Sequence, residues 1–348
     1  MSRNWIVNLL KLICGKTMTT SSGNKMEKRL HEFIENTGIA GLSAAVIDQQ
    51  VRNYSLGKMG KIPPFSEQTV SKGAIYDLAS LTKVIGTTTR ILQLVQSRQL
   101  TLLTQVAEIL PRFSQLTMTI EDLLLHRSGL PADFSDKSRF SSRTLMQFFE
   151  TYEQPAQTKK VNYSDIGYLL LGMVIEVIDG TDLEQSFQRY IFRPLGMKDT
   201  TYFPKELNRV VPTESTEERG LILGEVHDSK AFQLGRPAGS AGLFSTLDDL
   251  TAFTKAMMEE QGQSVLFTGT VRNQLLQTYQ QRTLGWEKPF GETIIYHTGF
   301  TGTSIGIDLK QKRALILLTN RIHPTRDTPY FMEERYALYR EFFKEEQI

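Results

Sequence analysis

Strand-like runs stand at the two ends of this chain and helical patterning fills the middle. Near one end, Gly41 to Asp48 reads as a buried strand and Val51 to Leu56 as its hairpin partner, with the turn near Asp48-Gln49-Gln50. Near the other, Thr293 to His297, Thr303 to Leu309 and Arg313 to Asn320 are strand-like runs separated by turns. Such an order closes most simply if both groups join in one antiparallel sheet. A helix carrying Met26, Leu30, Phe33 and Ile34, stopped at Gly38, and an amphipathic helix from Tyr330 to Phe343 then cover the sheet. The expected fold class is α+β, with a sheet lobe from about 26–79 and 240–348 and an inserted, mostly helical lobe from about 80–239. A site belongs in the cleft between the lobes.

Composition narrows the function by exclusion. The 348 residues carry a formal net charge of +2, which gives no reason to expect a nucleic-acid partner. Cys14 is the single cysteine, so no disulfide within the chain and no cysteine-rich metal site can form. The apolar run from Trp5 to Cys14 is broken by Asn8 and Lys11 and is too short to span a bilayer. Residues 1–25 are expected to be an extension or a poor signal-like segment, with the folded domain covering 26–348. The chain is then cytoplasmic if that segment is unprocessed, or exported and envelope-associated if it is not. No firm membrane contact is expected.

Three stretches carry chemistry. In Ala79-Ser80-Leu81-Thr82-Lys83, Ser80 and Lys83 share one face of a helix whose buried stripe continues through Val84, Thr88, Ile91, Leu92 and Val95. A hydroxyl becomes a nucleophile when a neighbouring base takes its proton, and a lysine at this spacing can do so if its surroundings lower its pKa. Val161 to Gly167 is a polar loop before a densely apolar helix from Gly167 to Ile178, and Tyr163 there can aim its phenol into a cleft. Tyr296 to Gly302 places His297 on a strand followed by a Gly-rich turn, an edge along which a substrate could add its own backbone. Each stretch alone also has a plain reading: a chance serine–lysine spacing, a packed tyrosine, a hairpin with an incidental histidine.

In this order the three stretches resemble the serine β-lactamase and penicillin-binding protein superfamily, in the branch of class C β-lactamases, D-Ala-D-Ala carboxypeptidases and related esterases. Ser80-Leu81-Thr82-Lys83 matches the Ser-x-x-Lys element, Tyr163-Ser164-Asp165 the Tyr-x-Asn element, and His297-Thr298-Gly299 the Lys/His-Thr-Gly element. Similarity continues in Leu123 to Pro131, Pro194 to Met197 and Gly242 to Leu250, and covers about residues 26 to 340. The resemblance implies an acyl-enzyme on Ser80, with Lys83 and Tyr163 sharing proton transfer and the N–H groups of Ser80 and Phe300 forming an oxyanion hole. Which of Lys83 and Tyr163 is the base stays open at the level of sequence. Asp165, His297, Thr298 and Gly299 fall at substrate-binding positions. No metal or cofactor is implied.

Two departures bear on the substrate. Asp165 stands where many members have Asn, and a carboxylate there needs a nearby cation such as Lys83. His297 replaces the lysine usual in β-lactamases, so the positive charge there would exist only below a pKa near 6.5. The favoured expectation is a D-alanyl peptidase or amidase acting on a small-molecule or peptidoglycan-derived substrate as a monomer. A carboxylesterase on small esters, true β-lactamase activity, and a non-hydrolytic β-lactam sensor or cell-wall binder are the alternatives. Of the other histidines, His126 is expected to be structural, and His227 either anchors a loop or touches substrate. No ligand spacing supports a zinc site.

Overall fold

The computed structural model describes residues 21–134, 140–155, 160–259, 266–267 and 269–344. Cys14 and most of the expected extension lie outside the described residues. The first helix, α1 (Ser21–Thr37), ends where Gly38 takes a φ of 63°, a conformation that costs glycine little. The hairpin β1 (Gly41–Ile47) and β2 (Val51–Gly57) follows. The helical region contributes α2 (Thr89–Gln96), α3 (Ile120–Leu124), α4 (Ser142–Thr151), α5 (Asp165–Asp179) and α6 (Ser229–Leu234). The chain then returns through α7 (Leu247–Met258) to β3 (Ile294–Thr298), β4 (Ser304–Asp308), β5 (Arg313–Thr319) and α8 (Phe331–Lys344).

The two strand groups do form one antiparallel sheet, in the order β2-β1-β5-β4-β3. Its two faces are buried against different partners. Leu42, Ala44, Val46, Leu315 and Leu317 pack on Leu30 and Phe33 of α1 and on Leu338, Tyr339 and Phe342 of α8. The alternate residues Ala45, Ile47, Ile305, Ile307, Ile316 and Leu318 join Leu250, Phe253 and Met257 of α7 and the helical lobe. Burial on both faces explains why β1 and β5 read as continuous apolar runs rather than alternating ones. The two covering terminal helices were legible in the sequence; the role of α7 on the opposite face was not.

Two local differences matter for the site. The segment opening at Ala79 is not an α-helix: Ala79–Leu81 is a 3₁₀ turn and Lys83–Thr88 a π-helical turn, and α-helix begins only at Thr89. The widened turn is anchored from outside. Lys83 Nζ donates to the Ser240 carbonyl at 2.7 Å, Thr87 Oγ1 to that of Gly239 at 2.7 Å, and Thr89 Oγ1 to Val84 five residues back at 2.7 Å. Wide turns of this kind gather at functional sites. In addition, Asp165 is the first residue of α5 rather than part of the loop before it. Ser164 caps that helix by accepting the Gly167 N–H at 3.2 Å.

Candidate active site

Ser80 sits at the junction of the lobes, half-buried, just after the short Tyr76–Asp77 strand that pairs with Phe244–Ser245. The 3₁₀ turn brings side chains three apart into near register, so Lys83 Nζ lies 3.0 Å from Ser80 Oγ. Lys83 is fully buried. It also ion-pairs with Asp165 at 2.7 Å. Burial alone would push its pKa down, but Asp165 and Tyr163 outweigh that and hold the ammonium above its usual range.

Asp165 meets a second cation, Lys230 of α6, at 3.1 Å. Burial would raise this carboxyl; the charges of Lys83 and Lys230 prevail and hold it well below the usual carboxylate range. Lys230 is itself buried and also pairs with Asp133 and Asp228, each at 3.3 Å. The condition that a carboxylate at position 165 requires is thus met twice. Lys230 escaped the sequence reading, because it reaches Asp165 from a stretch 65 residues further along the chain.

Tyr163 is held by the segment that ends α3. His126, at a positive φ of 54°, stacks on its ring with centroids 4.5 Å apart. His126 Nδ1 accepts the Ser164 N–H at 3.0 Å, and its carbonyl accepts the Asn162 N–H at 2.7 Å. The Lys83 ammonium stands 5.2 Å from the Tyr163 ring centroid and the Arg282 guanidinium 5.9 Å. His126 is therefore structural, as expected, and acts on the loop that carries Tyr163.

His297 departs from expectation. It is 1% exposed, its ring stands 6.3 Å from that of Tyr163, and its Nδ1 lies 3.0 Å from the Thr298 carbonyl, to which it donates. Burial first, then the charges of Arg282 and Lys83, push its pKa well below 6.5. The ring is neutral near neutral pH and gives no switchable positive charge at the cleft wall. The same causes, burial and then Arg282, hold His126 neutral. Arg282, buried and paired with Glu287 at 3.3 Å, is a second residue the sequence reading missed.

The turn after β3 is fitted against the Ser80 segment. Thr301 Oγ1 donates to the Asp77 carbonyl at 2.8 Å and Thr303 Oγ1 to that of Leu78 at 3.0 Å. A Cβ on Gly299 would stand 2.2 Å from Thr303 Oγ1 and 2.5 Å from the Leu78 oxygen, so only glycine permits this approach. Phe300 projects outward, 46% exposed, and its N–H makes no hydrogen bond among the described residues. The His227 ring stacks on Phe300 at 5.6 Å, and its Nε2 lies 2.8 Å from Glu214. These contacts tie the loop that bears His227 to Phe300 and to Glu214. Among the described residues no group of acidic, histidine or cysteine side chains could hold a metal ion, and no helix is long and apolar enough to cross a membrane.

An antiparallel sheet with an inserted helical region, and a serine–lysine–tyrosine cluster where they meet, define a β-lactamase-like class of fold. The chain belongs to the β-lactamase family, whose family model matches residues 26–335. It is 29% identical over 304 residues to a putative D-alanyl-D-alanine carboxypeptidase of Escherichia coli K12, covering 72% of this chain and 70% of that protein. It is 27% identical to an N-acetylmuramyl-L-alanine amidase of Bacillus subtilis 168, covering 88% and 83%. Among solved structures, a class C β-lactamase superposes with a TM-score of 0.76 at 17% identity, over 94% of this chain and 99% of the other.

Proposed function

We propose that this chain is a serine hydrolase acting through an acyl-enzyme on Ser80, with a D-alanyl peptide or a related cell-wall amide as substrate. The observation that carries the reading is the 3.0 Å contact between Lys83 Nζ and Ser80 Oγ within a buried ion-pair network. Ser80 Oγ bonds to the substrate carbonyl carbon while its proton passes to Tyr163, which takes part as the phenolate and becomes the phenol. The carbonyl electron pair moves onto oxygen, facing the N–H groups of Ser80 and Phe300. One such donor is worth about 100- to 1000-fold in rate. Collapse breaks the bond to the leaving amine, which takes the proton back from Tyr163, and water repeats the sequence to free the acyl group. The raised Lys83 supports Tyr163 as the proton acceptor, because an ammonium already paired with Asp165 is a fixed charge rather than a base.

The names of the Escherichia coli and Bacillus subtilis relatives support a cell-wall amide. One observation favours a second reading, a carboxylesterase on small esters: the neutral, buried His297 supplies no cation for a terminal substrate carboxylate. The test is turnover of a D-Ala-D-Ala peptide beside a neutral p-nitrophenyl ester. Faster release of D-alanine supports the peptidase, rapid turnover of the ester alone moves the assignment to the esterase, and neither reaction would count against both.

A further inference from the structure

Asp77 is 2% exposed and lies three residues before Ser80. Its carboxylate joins two segments that lie far apart in sequence. Oδ1 accepts the Ala79 N–H at 2.7 Å, and Oδ2 accepts the His227 N–H at 2.7 Å. Ala79 carries a φ of 46°, which disfavours any residue with a Cβ. That conformation turns the chain into the 3₁₀ turn bearing Ser80. His227 in turn stacks on Phe300, and the Asp77 carbonyl receives the Thr301 hydroxyl. Burial pushes this carboxyl above its usual range, opposed by the His227 and Ala79 N–H groups, so an unfavourably placed group is retained where it makes these bonds.

We propose that Asp77 is a positioning residue: it holds Ala79 in its left-handed conformation and ties the His227 loop to the same point, so that the Ser80 and Phe300 N–H groups face one oxygen. This inference rests on the reading of Ser80 as nucleophile and adds a residue outside the reacting cluster. In Asp77→Asn the amide nitrogen must face one of the two N–H donors, so one hold is lost with little change of shape.

The experiment is steady-state turnover of a p-nitrophenyl ester by the full chain, with each sample titrated for active Ser80 by adduct mass so that misfolded protein is not counted. Asp77→Asn is expected to lower kcat at least tenfold with KM changed less than threefold. Adding Ala79→Gly should restore at least threefold, because glycine takes a positive φ without the clamp. A merely structural role would lower the titrated fraction and the melting temperature but leave kcat per titrated serine within twofold of wild type, and that result overturns the proposal. A loss that Ala79→Gly leaves untouched also overturns it, since the carboxylate would then act elsewhere. If Asp77→Asn does not fold, Asp77→Ser, which keeps one acceptor, takes its place with the same criteria. Failure of the underlying reading looks different: wild-type protein would show no adduct on Ser80 at all.

Discussion

At the scale of the residue, the site is a balance of buried charge. Lys83 and Lys230 share Asp165, and Lys230 also faces Asp133 and Asp228. Removing one partner from a buried ion pair leaves the other uncompensated, at a cost of about 3–5 kcal/mol. Lys230→Met is expected to lower the unfolding free energy in urea denaturation by less than that, because Asp165 keeps its pairing with Lys83 and Asp133 and Asp228 are partly exposed. Adding Asp165→Asn should deepen the loss, because Asp165 still pairs with Lys83 and the second change leaves that buried ammonium without its counter-charge. Equal stability of Lys230→Met and wild type would remove the charge-balance account. The sequence disclosed the need for a cation beside Asp165 but not that two would serve it. The second arrives from α6, on a loop-rich stretch with no period to place it.

At the scale of the element, the chain was legible wherever a period and a terminus coincided. The five strands begin and end within a residue or two of their apolar runs, whereas α5 starts two residues before the expected Gly167, at its Ser164 cap. The departure at Ala79 to Thr88 has a physical cause: the turn is set by tertiary hydrogen bonds to Gly239 and Ser240, far away in sequence, which no local pattern encodes. The fit of the β3–β4 turn is equally specific. Gly299→Ala must displace Leu78 or Thr303, at a cost of about 1–3 kcal/mol. A shift of order 1 Å at the reacting groups costs about 100-fold in rate. Turnover should thus fall far more than stability, as read by kcat beside the melting temperature. Unchanged kcat would mean the turn does not set the site.

At the scale of the whole molecule, two buried neutral histidines tie stability to pH. His126 and His297 both have folded pKa values well below 6.5. Below about pH 6.5 the unfolded chain takes up protons that the folded chain refuses, so stability is full above that value and declines as pH falls. Two such groups give a slope of up to about 2.7 kcal/mol per pH unit. Asp165, with its pKa lowered, adds a further loss below about pH 4. Unfolding free energy is expected to drop steeply between pH 7 and pH 5, and a flat profile would contradict neutral burial of the pair. The sheet that closes the two ends of the chain brings these groups to one cleft, and there the central claim is most directly tested. Intact-protein mass after brief incubation with a penicillin or an activated ester should show one added acyl group, mapped to Ser80 and absent from Ser80→Ala. An adduct on another residue, or Ser80→Ala turning over substrate at the wild-type rate, would contradict it.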